Sequence, residues 1–246
     1  MSSTLVTVGP RLGIAMLALT CAAAAAAAIG HLGQERRIVV AVARAVVQLA
    51  LVSAVIAAIV HSIGFTLLFV AVMCAVASRT SARRMTRNRS GWWAAVPILS
   101  GSLPVAAGLL LSGLVPLRGI ALIPVTGILI GGAMTATSLA GRRALDELSA
   151  RRGEVEAALS LGFSDRDAAL EMSRPTAAQA LVPALDQTRT VGLVTLPGAF
   201  VGMLLGGASP IDAGAVQLFV LVSLLAVETI AVVLVLELVA RGLIRR

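Results

Sequence analysis

GRRALDELSARRGEVEAALSLGFSDRDAALEMSRPTAAQALVPALDQTR, residues 141–189, is the one long polar interruption in an otherwise apolar chain. The 246 residues are 58% hydrophobic and 13% charged, with a mean hydropathy of +0.97. Such a chain keeps most of its apolar surface in lipid rather than in a single soluble core. A membrane protein is therefore expected, and the stretch 141–189 is where it leaves the bilayer. All 20 basic residues are Arg. The absence of Lys excludes a P-loop lysine, a Schiff-base lysine and a lysine general base from this chain. The net charge of +8 does not point to nucleic acid, because the Arg residues cluster in the breaks between apolar segments, as membrane orientation requires.

Working outward from 141–189, seven apolar runs are long enough, or nearly so, to cross a hydrocarbon core of ~30 Å. They are 12–29, 38–60, 65–77, 92–114, 121–140, 190–207 and 213–239, with the third short and the sixth rich in Gly. The first follows Arg11 and also suits a signal peptide, but its length favours a retained helix. Trp92 and Trp93 suit an interfacial belt at the start of the fourth. The basic breaks at Arg36 and Arg37, at Arg79 to Arg89, within 141–189 and at the C-terminal Arg241, Arg245 and Arg246 fall on one side of this layout. The intervening turns carry only Arg118. The expectation is an all-α, multi-pass protein of the plasma (cytoplasmic) membrane, with about seven transmembrane helices, the N-terminus outside and the C-terminus cytoplasmic. It forms one transmembrane domain over 1–246, with 141–189 as a helical cytoplasmic loop between the fifth and sixth spans. Cys21 and Cys74 lie in apolar runs and read as packing residues. His31 and His61 have no second ligand at metal spacing.

Inside 141–189, Leu145, Leu148, Val155 and Leu159 keep helical spacing, and Glu147 precedes Arg151 by one turn, the favourable order for an ion pair. Gly162 suits a left-handed helix end, and Ser164 with Asp167 makes a capping-box-like start for a second helix. Pro175 suits the first turn of a further helix, bent at Pro183. Charge pattern alone allows a solvated hairpin with no partner. The order Glu156-Ala157-Ala158, then Gly162, then Met172 and Pro175 resembles the EAA loop of ABC-transporter membrane subunits. In that family the knob seats in a groove of the ATPase subunit, which would place Glu156, Ala157, Ala158, Gly162 and Phe163 at the contact.

A resemblance covering nearly the whole chain is carried by Arg44-Ala-Val-Val-Gln48-Leu49, Ile123-Pro124-Val-Thr-Gly127, the 156–162 knob, Leu181-Val-Pro183 and, most specifically, Thr190-Val-Gly-Leu-Val-Thr-Leu-Pro-Gly198. These look like the iron-export ABC permease family, which also takes in plant aluminium-tolerance membrane subunits. The resemblance implies a permease subunit that works as a dimer with a separately encoded ATP-binding subunit, ATP and Mg being bound there and no cofactor in this chain. It implies export of a metal ion such as iron; some members are associated with a nucleotide sugar. Two departures bear on the substrate: Gly131-Gly132 stands where a Gly-Asn-like pair is usual, and Thr195 where Ser is usual.

Thr126, Met134, Thr137 and Ser138 give the fifth span polar and thioether content, and Pro197, Gly198 and Met203 would open the sixth and expose carbonyls. These are the substrate-pathway candidates, with close helix packing as the competing reading for each. Arg44 can snorkel from near the end of its span with Gln48 one turn away, a structural polar pair. Glu228 is mid-span, where a charge costs at least about 2.5–3.5 kcal/mol, so it should face the interior and either pair with a cation or carry a proton. A self-sufficient secondary transporter or channel using Glu228 is accordingly the alternative to an ABC permease. An enzyme is not expected, since no HExxH, GxSxG or Asp-rich cluster occurs.

Overall fold

In the computed structural model, which describes residues 9–246, regular structure is helical apart from an isolated bridge between Val191 and Thr195. The chain divides into two compact units, Met1–Ile59 and Val60–Arg246. In the first, α1 (Pro10–Ile29) and α2 (Glu35–Ile59) form a hairpin. Pro10 opens α1, where its missing N–H costs nothing, and the turn uses left-handed backbone at His31 and Gly33.

The second unit is built on α3 (Ile63–Met85), α4 (Ala95–Leu111), α5 (Gly119–Ala150) and α10 (Pro210–Ala240). A Cβ placed on Gly119 would meet Thr66, on Gly127 Met73 and on Gly141 Met85, so α3 and α5 run parallel. Gly132 faces Leu224 and Glu228, and Gly141 faces Val235, so α10 runs parallel to both. Gly101 of α4 faces Val227, whereas Leu109 further along α4 borders Phe219 and Ser223, so α4 is antiparallel. Small residues permit these approaches: Ala133, Ala136, Ala140, Ala231 and Val235 are buried at the centre, and a Cβ on Gly101 would lie 3.0 Å from the Val227 carbonyl. The outer faces of the long helices stay apolar and exposed, as at Leu67, Leu68, Val72 and Val76 of α3.

Two spans differ from expectation. The third is longer than 65–77, because Ser78 and Thr80 satisfy their hydroxyls on the carbonyls one turn back and Arg83 and Arg84 complement the negative end of the helix. Of the seven expected spans, the sixth is not a continuous helix; six helices among the described residues are long and apolar enough to cross a membrane, and 190–207 is not among them. α8 (Val182–Thr190) ends there, and Gly192, with φ 80°, turns the chain so that its N–H donates to the Thr195 carbonyl at 2.9 Å. Pro197 caps the short α9 (Gly198–Leu205). A left-handed Gly and a Pro within a few residues cannot continue an α-helix. Because α5 and α10 are parallel, the chain between them must return the length of the bundle, and this broken segment makes the return.

Candidate functional site

α5 does not stop where the apolar sequence does. It continues to Ala150, braced by the pairs Arg142–Asp146 at 3.7 Å and Glu147–Arg151 at 3.5 Å. α6 (Arg152–Ser160) follows, with Arg152 bonded to Glu156 at 3.1 Å and Arg151 to Glu154, whose carboxyl that guanidinium holds below its ordinary range. α6 ends in a paired closure: the Phe163 N–H donates to the Ala158 carbonyl at 3.1 Å and the Gly162 N–H to that of Leu159 at 3.0 Å, with Gly162 at φ 92°. Ser164 then accepts from the Asp167 N–H at 3.1 Å and donates to its carboxylate at 2.7 Å, starting α7 (Asp165–Ala178). Pro175 does not open a further helix as expected; it lies inside α7, where the carbonyl it frees belongs to solvent-facing Glu171.

The result is a compact two-helix projection. Glu156, Ala157 and Gly162 are exposed, Phe163 is 46% exposed, and Ala158 is buried beneath them. Leu161, which sequence reasoning passed over, is 82% exposed at the tip, an apolar side chain aimed at solvent. The projection is anchored rather than loose. Arg166, two residues into α7, makes a bidentate bond to Glu237 near the end of α10, with Nε to Oε1 at 2.7 Å and Nη2 to Oε2 at 2.8 Å. Arg241 donates to the same carboxylate at 2.5 Å. Ala168, Ala169, Leu170, Ser173 and Ala177 bury the inner face of α7.

The mid-span candidates do not converge. The Thr126 hydroxyl donates to the Leu122 carbonyl at 2.7 Å, and Ser138 donates to that of Met134 at 2.7 Å while lying 3.0 Å from the Ser81 hydroxyl. Thr137 is fully buried and its hydroxyl has no partner among the described residues. Met134 packs half-buried on the core. Glu228, also half-buried, lies over Gly132: a Cβ there would stand 2.9 Å from Oε1. Pro197, Gly198 and Met203 sit on the far part of the return, where the Phe200 N–H donates to buried Gln217 of α10 at 3.3 Å. Arg44 and Gln48 are carried one turn apart on α2. No group of three or more His, Cys, Asp or Glu side chains able to hold a metal forms among the described residues.

The model of the uncharacterised protein family UPF0014 matches residues 11–244, nearly the whole chain. The chain belongs to the UPF0014 family. Among its curated relatives, the "UPF0014 membrane protein STAR2" of Oryza sativa subsp. japonica is 38% identical over 141 residues, 57% of this chain and 50% of that protein. "Protein ALUMINUM SENSITIVE 3" of Arabidopsis thaliana is 35% identical over 150 residues, 61% and 54%. The "Probable iron export permease protein FetB" of Escherichia coli (strain K12) is 30% identical over 139 residues, 56% and 54%. The chain thus spans about half the length of each of these three relatives. No solved structure matches it. This UPF0014 chain is an integral membrane protein, as its composition requires.

Proposed function

We propose that the chain is the membrane-spanning permease subunit of an ABC transporter of the cytoplasmic membrane, exporting a metal ion and driven by a separate ATP-binding subunit. The observation that carries this is the exposed 156–163 projection, joined covalently to α5 and by the Arg166–Glu237 pair to α10. In this reading α6, Gly162 and α7 seat in a groove of the ATPase, where Leu161 and Phe163 supply apolar contact and Ala157 allows close approach. ATP and Mg bind in that partner, the permease works with a second copy of itself, and the projection faces the cytoplasm together with the Arg79 to Arg89 loop. The similarity to a protein described as a probable iron export permease supports a metal cargo. A second reading, a secondary transporter coupled through Glu228, is favoured by one feature: that mid-span carboxylate has no ion-pair partner among the described residues. The deciding experiment co-expresses the chain with a P-loop ATPase subunit and measures co-purification, then ATP hydrolysis in liposomes against iron, other metals and nucleotide sugars. Metal-stimulated hydrolysis with vectorial transport is expected. Vectorial transport by the purified chain alone, without ATP, overturns the reading.

A further inference from the structure

The strongest concentration of uncompensated charge lies away from the projection. Arg79, Arg83, Arg87 and Arg89, with Thr86, Asn88 and Trp92, line a cavity of about 360 Å³ at the end of α3. None of these four guanidiniums takes part in an ion pair among the described residues, whereas those of Arg142, Arg151, Arg152, Arg166 and Arg241 do. No carboxylate lines the cavity. Four like charges facing one space repel each other, and an anion entering it removes that repulsion.

A second space adjoins the first. Leu67, Val70, Ala71, Cys74, Ala75, Ser78, Ala95, Leu99 and Leu103, again with Trp92, line an apolar groove of about 510 Å³ between α3 and α4. Trp92 belongs to both walls, so the basic cavity and the apolar groove are neighbours. The groove lining runs along α3 from Leu67 to Ser78. At 1.5 Å per residue that is roughly 16 Å, about half of a ~30 Å hydrocarbon core, the depth of one leaflet. An indole at the junction matches the headgroup level, where Trp is enriched.

We infer that the Arg79–Arg89 cavity and the α3–α4 groove together form a binding site for one acidic phospholipid, its phosphate among the guanidiniums and an acyl chain along the groove. A soluble phosphate ester shares the headgroup chemistry but leaves the groove empty. A transmembrane helix of another protein, or of a second copy, fills the groove but not the charge. The inference does not rest on the proposed contact with an ATPase and stands whether or not that contact exists.

The test uses the full chain in mixed micelles with phosphatidylglycerol and phosphatidylcholine, the lipid retained per protein being counted by native mass spectrometry. One phosphatidylglycerol should be retained in preference to phosphatidylcholine. With about fivefold in affinity per basic residue near a membrane surface, Arg83→Gln with Arg87→Gln should weaken retention roughly 30-fold. Arg83→Lys with Arg87→Lys should keep most of it, which separates charge from folding. Ala71→Trp, which fills the groove without touching the Arg residues, should also abolish it. Glycerol 3-phosphate should displace nothing. Equal retention of the two lipids, displacement by glycerol 3-phosphate, or full retention in the double Gln variant overturns the inference. So does a crosslink showing the groove occupied by a second copy.

Discussion

Gly141→Ala tests the convergence on which this fold depends. Gly141 lies where α3, α5 and α10 come together: an added Cβ would collide with Met85 Sδ and lie 3.0 Å from Val235 Cγ2. Met85 is 4% exposed and Val235 is fully buried, so neither can swing clear. Overpacking of this kind costs about 1–3 kcal/mol. Replacing a helical Gly by Ala returns up to about 1 kcal/mol through propensity. The matched control is Gly131→Ala, in the same helix, where a Cβ would have no neighbour within 4 Å. The control keeps the propensity gain without the clash, so the two variants should differ by about 1–3 kcal/mol. For a unit of this size 1 kcal/mol moves the melting temperature by roughly 2–4 °C. Gly131→Ala should therefore melt above Gly141→Ala by roughly 2–12 °C in thermal unfolding followed by far-ultraviolet circular dichroism in detergent. Adding Met85→Ala to Gly141→Ala should cost less than the two single changes summed, since removal of the Met makes room for the Cβ. Equal melting of the two Ala variants, or simple additivity with Met85→Ala, would refute the parallel packing of the three helices at this point.

Three further outcomes bear on function. Gly162 has open space around its Cβ position but φ 92°, so Gly162→Val strains the backbone without a clash, at a cost of about 1–3 kcal/mol; the protein should stay folded in the membrane while transport per ATP hydrolysed falls. Unchanged coupling would mean that the projection is not the coupling element. Arg166→Ala should lower the same ratio with ATPase co-purification constant; an unchanged ratio would remove the pair from force transmission. On the secondary-transport reading Glu228→Gln should reduce transport, and Gly132→Leu, which drives a side chain into the space occupied by Glu228 Oε1, should reproduce that loss. Normal transport in Glu228→Gln takes this carboxylate out of the pathway.

Composition and Arg placement made the membrane class legible, and Gly162 with Ser164 and Asp167 made the projection legible, because each depends on residues near one another in sequence. The full length of α3 was hidden: hydropathy penalises Arg79, Arg83 and Arg84, although a helix can carry them beyond the hydrocarbon. The Arg166–Glu237 pair had no local signal, since 71 residues separate its members. For 190–207 the sequence was half informative. Pro197 and Gly198 pointed to an opened helix, but the interruption starts earlier, at Gly192, whose left-handed backbone no hydropathy average detects.

These same features bear on where motion would concentrate. A push on Gly162 reaches α5 through the continuous chain and α10 through Glu237, so both parallel helices receive it at the same end. α5 and α10 are long, internally bonded helices with Ala and Val of both buried in one core. The return between them is different. From Val191 to Leu196 the backbone is a turn held by the Gly192 N–H on the Thr195 carbonyl and by the Leu193, Val194 and Thr195 N–H groups on the Thr190 carbonyl, but Leu193, Val194 and Leu196 are exposed, so it is less anchored by side-chain burial than α10 beside it. A rotation of α7 with α10 relative to α5 would be absorbed at the 151–164 connection between α5 and α7, whereas a displacement of α10 against α7 would be absorbed at 191–197. That places the Thr190 to Gly198 motif at the point where the return path bends rather than on a wall of packed helix.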